Sequence, residues 1–360
     1  MPATELAPDL LTEGRRQVEI CNACRYCEGL CSVFPSIARS RTFAEGDLTH
    51  LANLCHNCRG CYYSCQYKPP HDFQLNLPKI LAELRQESWE QFAVPGGLAR
   101  IFHRHGLAVV MASIAAFAFI FLFASATSSS ADGEGFYAIM SHGVMVALFL
   151  PSFLIPLVCL AVSLRRYWHH VDGQPIRLQH VHHALRSAAS LKNLDGGQGH
   201  GCNYQEEDRY SNARRWNHQL VMYGFLLCFA ATSTATVMHY GLNWPAPYPL
   251  FSLPKLFGLS GGAMMAIGCL GLIWLKTRGD RNLSDPRVFG GELAFLFLLF
   301  FVAISGLLLY ILGDTRFLTI LLVLHLSSVL TLFLLTPFSK MSHGFFRLAA
   351  LLREAQFAAT

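Results

Sequence analysis

The sequence has few charged residues and lacks the motifs that a soluble dehydrogenase needs. Only 14% of its 360 residues are Asp, Glu, Lys or Arg, against about 25% in a typical soluble domain. Its one glycine-rich run, Gly196 to Gly201, neither follows a strand pattern nor opens a helix, so no phosphate-binding turn for FAD or NAD is predicted. Met1 to Arg16 is polar and lacks the apolar centre of a signal peptide, which argues against a secreted, disulfide-bonded protein.

Charge is absent altogether from six long apolar stretches, although 52% of the chain is hydrophobic. A helix of about 20 apolar residues crosses a hydrocarbon core of about 30 Å. We therefore predict six membrane-spanning helices and exclude a soluble protein. The uncharged stretches are Gly106 to Thr127, Phe136 to Leu164, Trp216 to Tyr240, Leu256 to Leu275, Leu293 to Leu312 and Phe317 to Leu335.

The basic residues between the spans predict the orientation of the chain. The connections Arg165 to Arg215 and Lys276 to Glu292 carry eight and four Lys or Arg, whereas Ser128 to Gly135 carries none and the other two opposite loops carry one each. The positive-inside rule then predicts a bacterial inner-membrane protein with both termini in the cytoplasm. The net charge of +5 belongs to these loops and does not indicate nucleic-acid binding.

Eight of the twelve cysteines stand near the N-terminus in two copies of one spacing, C-x2-C-x2-C-x3-C. This spacing is typical of two [4Fe-4S] clusters, in which the fourth cysteine of each run serves the neighbouring cluster. On that wiring Cys21, Cys24, Cys27 and Cys65 bind one cluster, and Cys55, Cys58, Cys61 and Cys31 bind the other. Whether the fourth cysteines cross is left open. Structural zinc needs only four ligands, usually as two pairs separated by a longer loop, and gives no reason for the additional cysteines.

Helical patterns surround both cysteine runs. Leu10 to Ile20, Phe43 to Leu54 and Leu77 to Phe92 have apolar residues at helical spacing, whereas a bacterial ββαβ ferredoxin would have strands there. We predict an all-α protein with a cytoplasmic ferredoxin-like domain over residues 1–97. A six-span, cytochrome b-like bundle follows over residues 98–338 with a cytoplasmic loop at 165–215, and residues 339–360 form an amphipathic tail suited to the inner membrane surface.

Histidines are the polar residues that stand out in or near the spans, where polar groups are costly and usually functional. A bis-histidine haem needs two imidazoles from facing helices at one depth. The predicted depth of each histidine in the membrane pairs His218 with His343 on the inner side and His325 with His239 on the outer side. His142 is an alternative partner for His325. His325 and His343 are 18 positions apart, five full turns, so they share a face if the helix continues past Pro337.

Other polar and small residues predict less specific features. The segment from His180 to Cys202 contains His180, His182, His183 and His200, and we interpret it as a docking loop, with a metal site as the alternative. Glycines in the fourth span, among them Gly258, Gly261 and Gly268, predict close helix packing.

The motif order resembles the tricarballylate-utilisation protein B family, also called CitB-type. The similar segments are LCHNCRGCYYSCQYKPPH, LDGGQGHGCNY, RRWNHQLVMYGFLLCFAATS, NWPAPYPL and SKMSHGFFRLAALLRE. The resemblance implies an inner-membrane protein with two [4Fe-4S] clusters and haem b. Such a protein reoxidises the reduced FAD of a partner dehydrogenase similar to tricarballylate-utilisation protein A, and passes the electrons towards quinone. The arrangement of His325 and His343 is also similar to that in the last helix of nitrate-reductase-type cytochrome b subunits, which implies haem ligation.

Two alternatives to a tricarballylate-linked electron-transfer protein stay open. One is a non-enzymatic iron-sulfur redox sensor, which would need the clusters but not paired membrane histidines. The other is the membrane anchor of a different quinone-linked oxidoreductase. Whether the chain serves a tricarballylate dehydrogenase or a different quinone-linked oxidoreductase, the substrate is oxidised on a partner protein, because this chain has no flavin or nicotinamide motif.

Overall fold

The computed structural model describes residues 6–127, 141–197, 199–204 and 209–358, and these residues form an all-helical protein. Within them the only β pairing is one isolated bridge between Cys202 and Ser211. The start of the predicted second span and the loop before it, residues 128–140, lie outside the described part, as does Gln198.

Five helices build the cysteine-rich head: α1 (Pro8–Cys24), α2 (Val33–Arg39), α3 (Glu45–Leu54), α4 (Gly60–Tyr63) and α5 (Leu77–Phe92). The helices predicted beside the cysteine runs are confirmed, and α5 has the predicted bounds. It begins where the Asn76 side chain accepts a hydrogen bond from the Lys79 amide at 3.3 Å, which satisfies one of the free amides of the first turn.

Six further helices are long and apolar enough to cross a membrane, with mean hydropathy between 1.7 and 2.7. The predicted number of spans is confirmed within the described residues. The backbone leaves helical geometry at His105, one residue before the predicted start of the first span. The six helices are α6 (Leu98–Thr127), α7 (His142–His170), α9 (Ala213–Gly241), α10 (Leu253–Arg278), α11 (Phe289–Ile311) and α12 (Leu318–Leu335).

Close packing of α9 on α10 depends on glycine, as the sequence predicts. A Cβ atom on Gly261 would lie 2.7 Å from the carbonyl oxygen of Gly224, and one on Gly268 would lie 2.7 Å from the carbonyl oxygen of Asn217. Both approaches are too short for a side chain. The absence of side chains at these positions therefore lets the two backbones touch.

The C-terminal helix α13 (Ser342–Ala358) packs on the head, which corrects the predicted membrane-surface position. Ala350 and Leu351 are buried in the same core as Leu48 and Leu81 of the head. Glu354 accepts hydrogen bonds from Arg39 at 2.5 Å and from Ser36 at 3.0 Å. The apolar face of the tail is therefore used in closing the head core and is not free for lipid.

Helix α8 (Leu178–Ser190) and the connection between α10 and α11 lie on the same side as the head. Ala184 of α8 joins the head core, and the side-chain amide of Asn57 donates to the Leu283 carbonyl at 2.9 Å. The described N-terminal and C-terminal ends therefore lie on one side of the six-helix bundle, as an even number of spans requires.

The condition under which His325 and His343 would share a face, a helix that continues past Pro337, is not met. Helix α12 ends at Leu335, a turn occupies residues 336–341, and α13 begins at Ser342. Proline has no amide hydrogen and its ring clashes with the preceding turn of a helix, so the chain changes direction there. His325 and His343 therefore lie on two different helices and do not share the helix face that an unbroken helix would give them.

Candidate functional site

The first group of cysteines surrounds a cavity of about 240 Å³ in the head. Helix α1 delivers two of them, and its C-terminal residue is followed by Arg25 with a positive φ of 56°. This left-handed residue ends the helix and turns the chain towards the next cysteine. The cavity is lined by Cys21, Cys24, Cys27 and Cys65, with Cys61 also on its wall.

The second group surrounds a smaller cavity, of about 20 Å³, that is lined by Cys31, Cys55, Cys58 and Cys61. Helix α3 ends immediately before Cys55, and positive φ angles of 53° and 70° at Asn57 and Arg59 turn the following backbone. The backbone amide of Asn57 donates to the Cys55 sulfur at 3.4 Å. Each run thus contributes its fourth cysteine to the group of the other run. The side chains are grouped in the crossed way, and their ligation of iron stays a prediction.

Burial controls the charge state of these thiols. It raises the pKa of Cys21 to about 12, with the neighbouring Cys65 adding to the shift. Burial also raises the pKa of Cys58 to about 12, with Cys202 as the next contribution. These thiols are therefore neutral at neutral pH unless metal charge stabilises the thiolates, and cluster binding would release protons.

The glycine-rich segment before α9 packs against the head. The Ser32 hydroxyl donates to the Asn193 side chain at 2.7 Å, and the Asn203 backbone amide donates to the Cys58 carbonyl at 3.0 Å. Gly197, with a φ of 81°, lies against the backbone of Gly29 and Leu30. This part of the predicted docking loop is therefore an internal cover of the cysteine runs.

Cys202 was not predicted to lie near the cysteine runs of the head. It is buried and packs beside Cys58. Its position in the glycine-rich segment was the only sequence signal for it. Within the described residues, no three His, Cys, Asp or Glu side chains are arranged to hold a single metal ion, which includes the histidines of this segment.

The inner histidine pair predicted from depth in the membrane, His218 and His343, lies close together in the structure. The ring centres of His218, on α9, and His343, on α13, are 5.8 Å apart and the ring planes are at 86°. Nδ1 of His343 lies at hydrogen-bonding distance from the Lys340 carbonyl, while Nδ1 of His218 is buried without a hydrogen-bond partner. Burial, followed by the charge of Arg347, lowers the pKa of His343 well below its usual value, so the ring is neutral, as a metal ligand must be.

Five cationic side chains surround the cavity of about 150 Å³ that both histidines line, and sequence reasoning missed them. The only signal was their spacing, since Arg214 is four positions before His218 and Arg347 four positions after His343. Burial, then repulsion by Arg85 and Arg214, lowers the pKa of Arg347 to about 9, which indicates a concentration of positive charge. The cationic residues on the wall are Arg85, Arg214, Lys276, Lys340 and Arg347.

The other membrane histidines are arranged differently from the predicted pair of His325 with His239. The ring of His239 stacks on that of His142, with centres 4.8 Å apart and planes at 11°. His325 lies at 3.1 Å from the Ser305 hydroxyl, and a Cβ atom on Gly306 would lie 2.9 Å from its ring. The structure therefore brings together the two residues that the sequence offers as alternatives, His142 and His239.

The helices and the cysteine-rich head define a multi-pass membrane protein with an iron-sulfur type N-terminal domain. A family model described as "Citrate utilization protein B Fer4-like domain" matches residues 14–91, and a model described as "Citrate utilization protein B" matches residues 98–359. The chain is 38% identical over 354 residues to the Citrate utilization protein B of Escherichia coli, covering 96% of this chain and 93% of that protein. The chain belongs to the citrate utilization protein B (CitB) family, as the sequence motifs predict. No solved structure matches it.

Proposed function

We propose that this protein accepts electrons from the reduced FAD of a partner dehydrogenase through two [4Fe-4S] clusters and passes them by haem b to quinone. The main support for the proposal is that the second cysteine cavity and the histidine cavity share part of their walls. Asn57 lines both the second cysteine cavity and the cavity of His218 and His343. Arg347 lines the histidine cavity and donates to the Cys55 carbonyl at 3.1 Å. The candidate sites for cluster and haem are thus neighbours.

The cysteines fit two cubic clusters because they form two groups of four around separate cavities. Cys21, Cys24, Cys27 and Cys65 would hold the first cluster, and Cys55, Cys58, Cys61 and Cys31 the second. The Fer4-like family match supports iron-sulfur binding. When bound, such clusters exchange single electrons at potentials that burial and hydrogen bonds to sulfur adjust. The burial of these cysteines and the Asn57 amide near the Cys55 sulfur are features of that kind.

The inner histidines fit a six-coordinate haem. Two imidazoles on opposite sides of one metal ion, each with a bond of about 2.0 Å, have ring centres about 6 Å apart. The 5.8 Å between the centres of His218 and His343 is close to this value. His142 and His239 are the candidates for a second, outer haem, together with His325, but their stacked rings at 4.8 Å are not in ligand geometry.

The partner is proposed from what the chain lacks and from the name of its relative. No flavin or nicotinamide motif exists in the sequence, so an FAD-dependent dehydrogenase must supply the electrons. The Escherichia coli relative is named for citrate utilization, which favours a tricarboxylic acid such as citrate or tricarballylate as the partner's substrate. The basic loops favour a head in the bacterial cytoplasm, where the partner would dock, and lipid surrounds the six spans.

Stopped-flow absorbance on membranes tests the proposal. Substrate-reduced partner is mixed with membranes that contain the wild type, the double variant Cys24→Ser with Cys58→Ser, or the control Cys159→Ser. We expect reduction of the haem band in the wild type and control, loss of that reduction in the double variant, and reoxidation by added quinone. Equal reduction rates in all three would exclude a path through the cysteine head.

A redox sensor is the second class of function, and the inner histidine pair argues against it. A sensor has no use for two imidazoles at ligand distance beside the cluster site. Reduced-minus-oxidised spectra of isolated membranes separate the two classes, since b-type haem bands are expected only for an electron-transfer protein.

A further inference from the structure

We infer that the cavity between the second cysteine run and the membrane bundle binds a pair of carboxylates. The inference deepens the proposed function and partly rests on it, because the two propionates of a haem held by His218 and His343 are one source of such carboxylates. A free di- or tricarboxylate is the other source. The recognition chemistry is the same in both cases: guanidinium and ammonium groups that face carboxylate oxygens.

The charge on the cavity wall exceeds what the protein itself neutralises. Of the two acidic residues on the wall, Asp285 accepts three hydrogen bonds from the Arg287 guanidinium, which leaves Glu292 as the counter-ion. Glu292 contacts both Lys276 and Lys340. Five cations thus share one available carboxylate, and buried charge of one sign is costly unless it is paired.

The three arginines have only neutral acceptors in the described part of the chain. Arg85 donates to the Cys55 carbonyl at 2.9 Å, Arg347 donates to the same oxygen at 3.1 Å, and Arg214 donates to the Asn57 carbonyl at 2.6 Å. Nε of Arg347 is buried with no hydrogen-bond partner. These guanidinium groups have unused capacity for charge-assisted hydrogen bonds, and no ion pair joins any of them to a described acidic residue.

Another part of the cavity wall is apolar and belongs to the membrane helices. It includes Val221 of α9, Leu272 of α10 and Phe295 of α11. A small inorganic anion would leave this wall without a partner. The combination of five cationic side chains, apolar side chains of the membrane helices and two histidines suits an organic ligand with carboxylates at one end.

A simpler explanation is that the arginines only offset the charge of a cluster held by the second cysteine group. This accounts for the hydrogen bonds of Arg85 and Arg347 to Cys55. It leaves one positive charge in excess on the wall of the same cavity, because Lys276 and Lys340 share the single carboxylate of Glu292. If the arginines only offset cluster charge, their replacement should not change the binding of carboxylates; if they bind carboxylates, it should. Binding measurements therefore distinguish the two explanations.

The test uses the full chain, purified in detergent from haem-deficient cells, as the wild type and as Arg214→Gln and Arg347→Gln. Arg215→Gln is the matched control, because Arg215 is the next residue along α9 but donates to the Ser190 carbonyl. Iron content per chain verifies that each variant retains its folded head. Haem and haem dimethyl ester, which lacks the propionate charges, are titrated by absorbance, and citrate is titrated by calorimetry.

If the propionates are the carboxylates, the wild type and Arg215→Gln bind haem about ten- to a hundredfold more tightly than the ester. That preference disappears in Arg214→Gln and Arg347→Gln. If a free polycarboxylate is the ligand, calorimetry detects citrate binding that both variants lose, and esterification of haem has no effect. This second result supports the inference even where no haem binds and the proposed function fails. The inference is overturned if neither ligand depends on Arg214 and Arg347 in protein with full iron content.

Discussion

His218 and His343 face each other with ring centres 5.8 Å apart and planes at 86°, although 124 residues separate them in the sequence. His218 stands in the first turns of α9 and His343 in the first turn of α13. The turn at Pro337 removes the unbroken helix through which the sequence related His343 to His325. The same turn directs α13 towards the head, which is where His343 meets His218.

Removal of either inner histidine should remove haem. We expect His218→Ala and His343→Ala each to lose the inner b-type haem, because one imidazole cannot supply both axial ligands. Haem content per chain, measured from the spectra of purified protein, checks this. His200→Ala, which changes an exposed loop residue, should keep full haem content. Unchanged haem in both variants would contradict the assignment of this pair.

The iron content of the protein should show that both cysteine groups bind a cluster. Anaerobically purified full-length protein is expected to hold about eight irons and eight sulfides. Cys58→Ser should remove about half of the iron, and Cys159→Ser, in a membrane helix, should remove none. The full chain is required because Ala350 and Leu351 of α13 complete the head core. Zinc in place of iron would refute the cluster assignment.

Glu354 should stabilise the head in a pH-dependent way. Burial alone raises the pKa of Glu354, but the nearby His50, whose Nε2 lies 3.5 Å from the carboxylate, and the hydrogen bond from Arg39 outweigh it and hold the pKa below the ordinary 4.5. A lowered pKa contributes stability that is present above pH 4.5 and is lost as the pH falls through the folded-state value. We expect Glu354→Gln to cost about 2–4 kcal/mol at pH 7.

Thermal unfolding in detergent from pH 7 to pH 4 measures the Glu354 contribution. The difference between the wild type and Glu354→Gln should shrink at the acidic end. Glu19→Gln, at an exposed position of α1, serves as the control. A difference that grows on acidification would have the wrong sign for this ion pair.

The contact between α9 and α10 should be sensitive to one added methyl group. Gly261→Ala places a Cβ atom 2.7 Å from the Gly224 carbonyl, so the helices must separate, at a cost of about 1–3 kcal/mol. Gly258→Ala meets only the Ala231 side chain at 3.7 Å and should be neutral. Unfolding temperatures of the two variants in the same detergent provide the comparison. Equal stability would mean that the close approach is not needed.

Local patterns were sufficient to predict most helices. The apolar spacing from Leu77 to Phe92 predicts α5 with its bounds, and six uncharged stretches predict the six apolar helices. Both signals are carried by neighbouring residues, because helix periodicity and span length are local properties. The repeated cysteine spacing suggested the crossed wiring but left it open, and the side chains line their two cavities in the crossed arrangement.

Contacts between segments that are far apart in the sequence could not be predicted from local sequence patterns. The amphipathic pattern of α13 was identified, but periodicity does not indicate whether lipid or protein covers an apolar face. The basic cavity was missed because Arg85, Arg214 and Arg347 belong to three separate helices. The contact of His239 with His142 depends on how α7 and α9 lean towards each other, which no single-sequence pattern gives.

The position of α13 has a consequence for the order in which the protein is made. Ser36 bonds to Glu354 across 318 residues, and α13 supplies part of the head core. The ribosome completes α13 only after all six apolar helices have been synthesised. The hydrophobic core of the head therefore stays incomplete until the whole chain has been synthesised. A chain that stops short of α13 would leave the apolar side chains that α13 covers, such as those around Leu48 and Leu81, exposed to water.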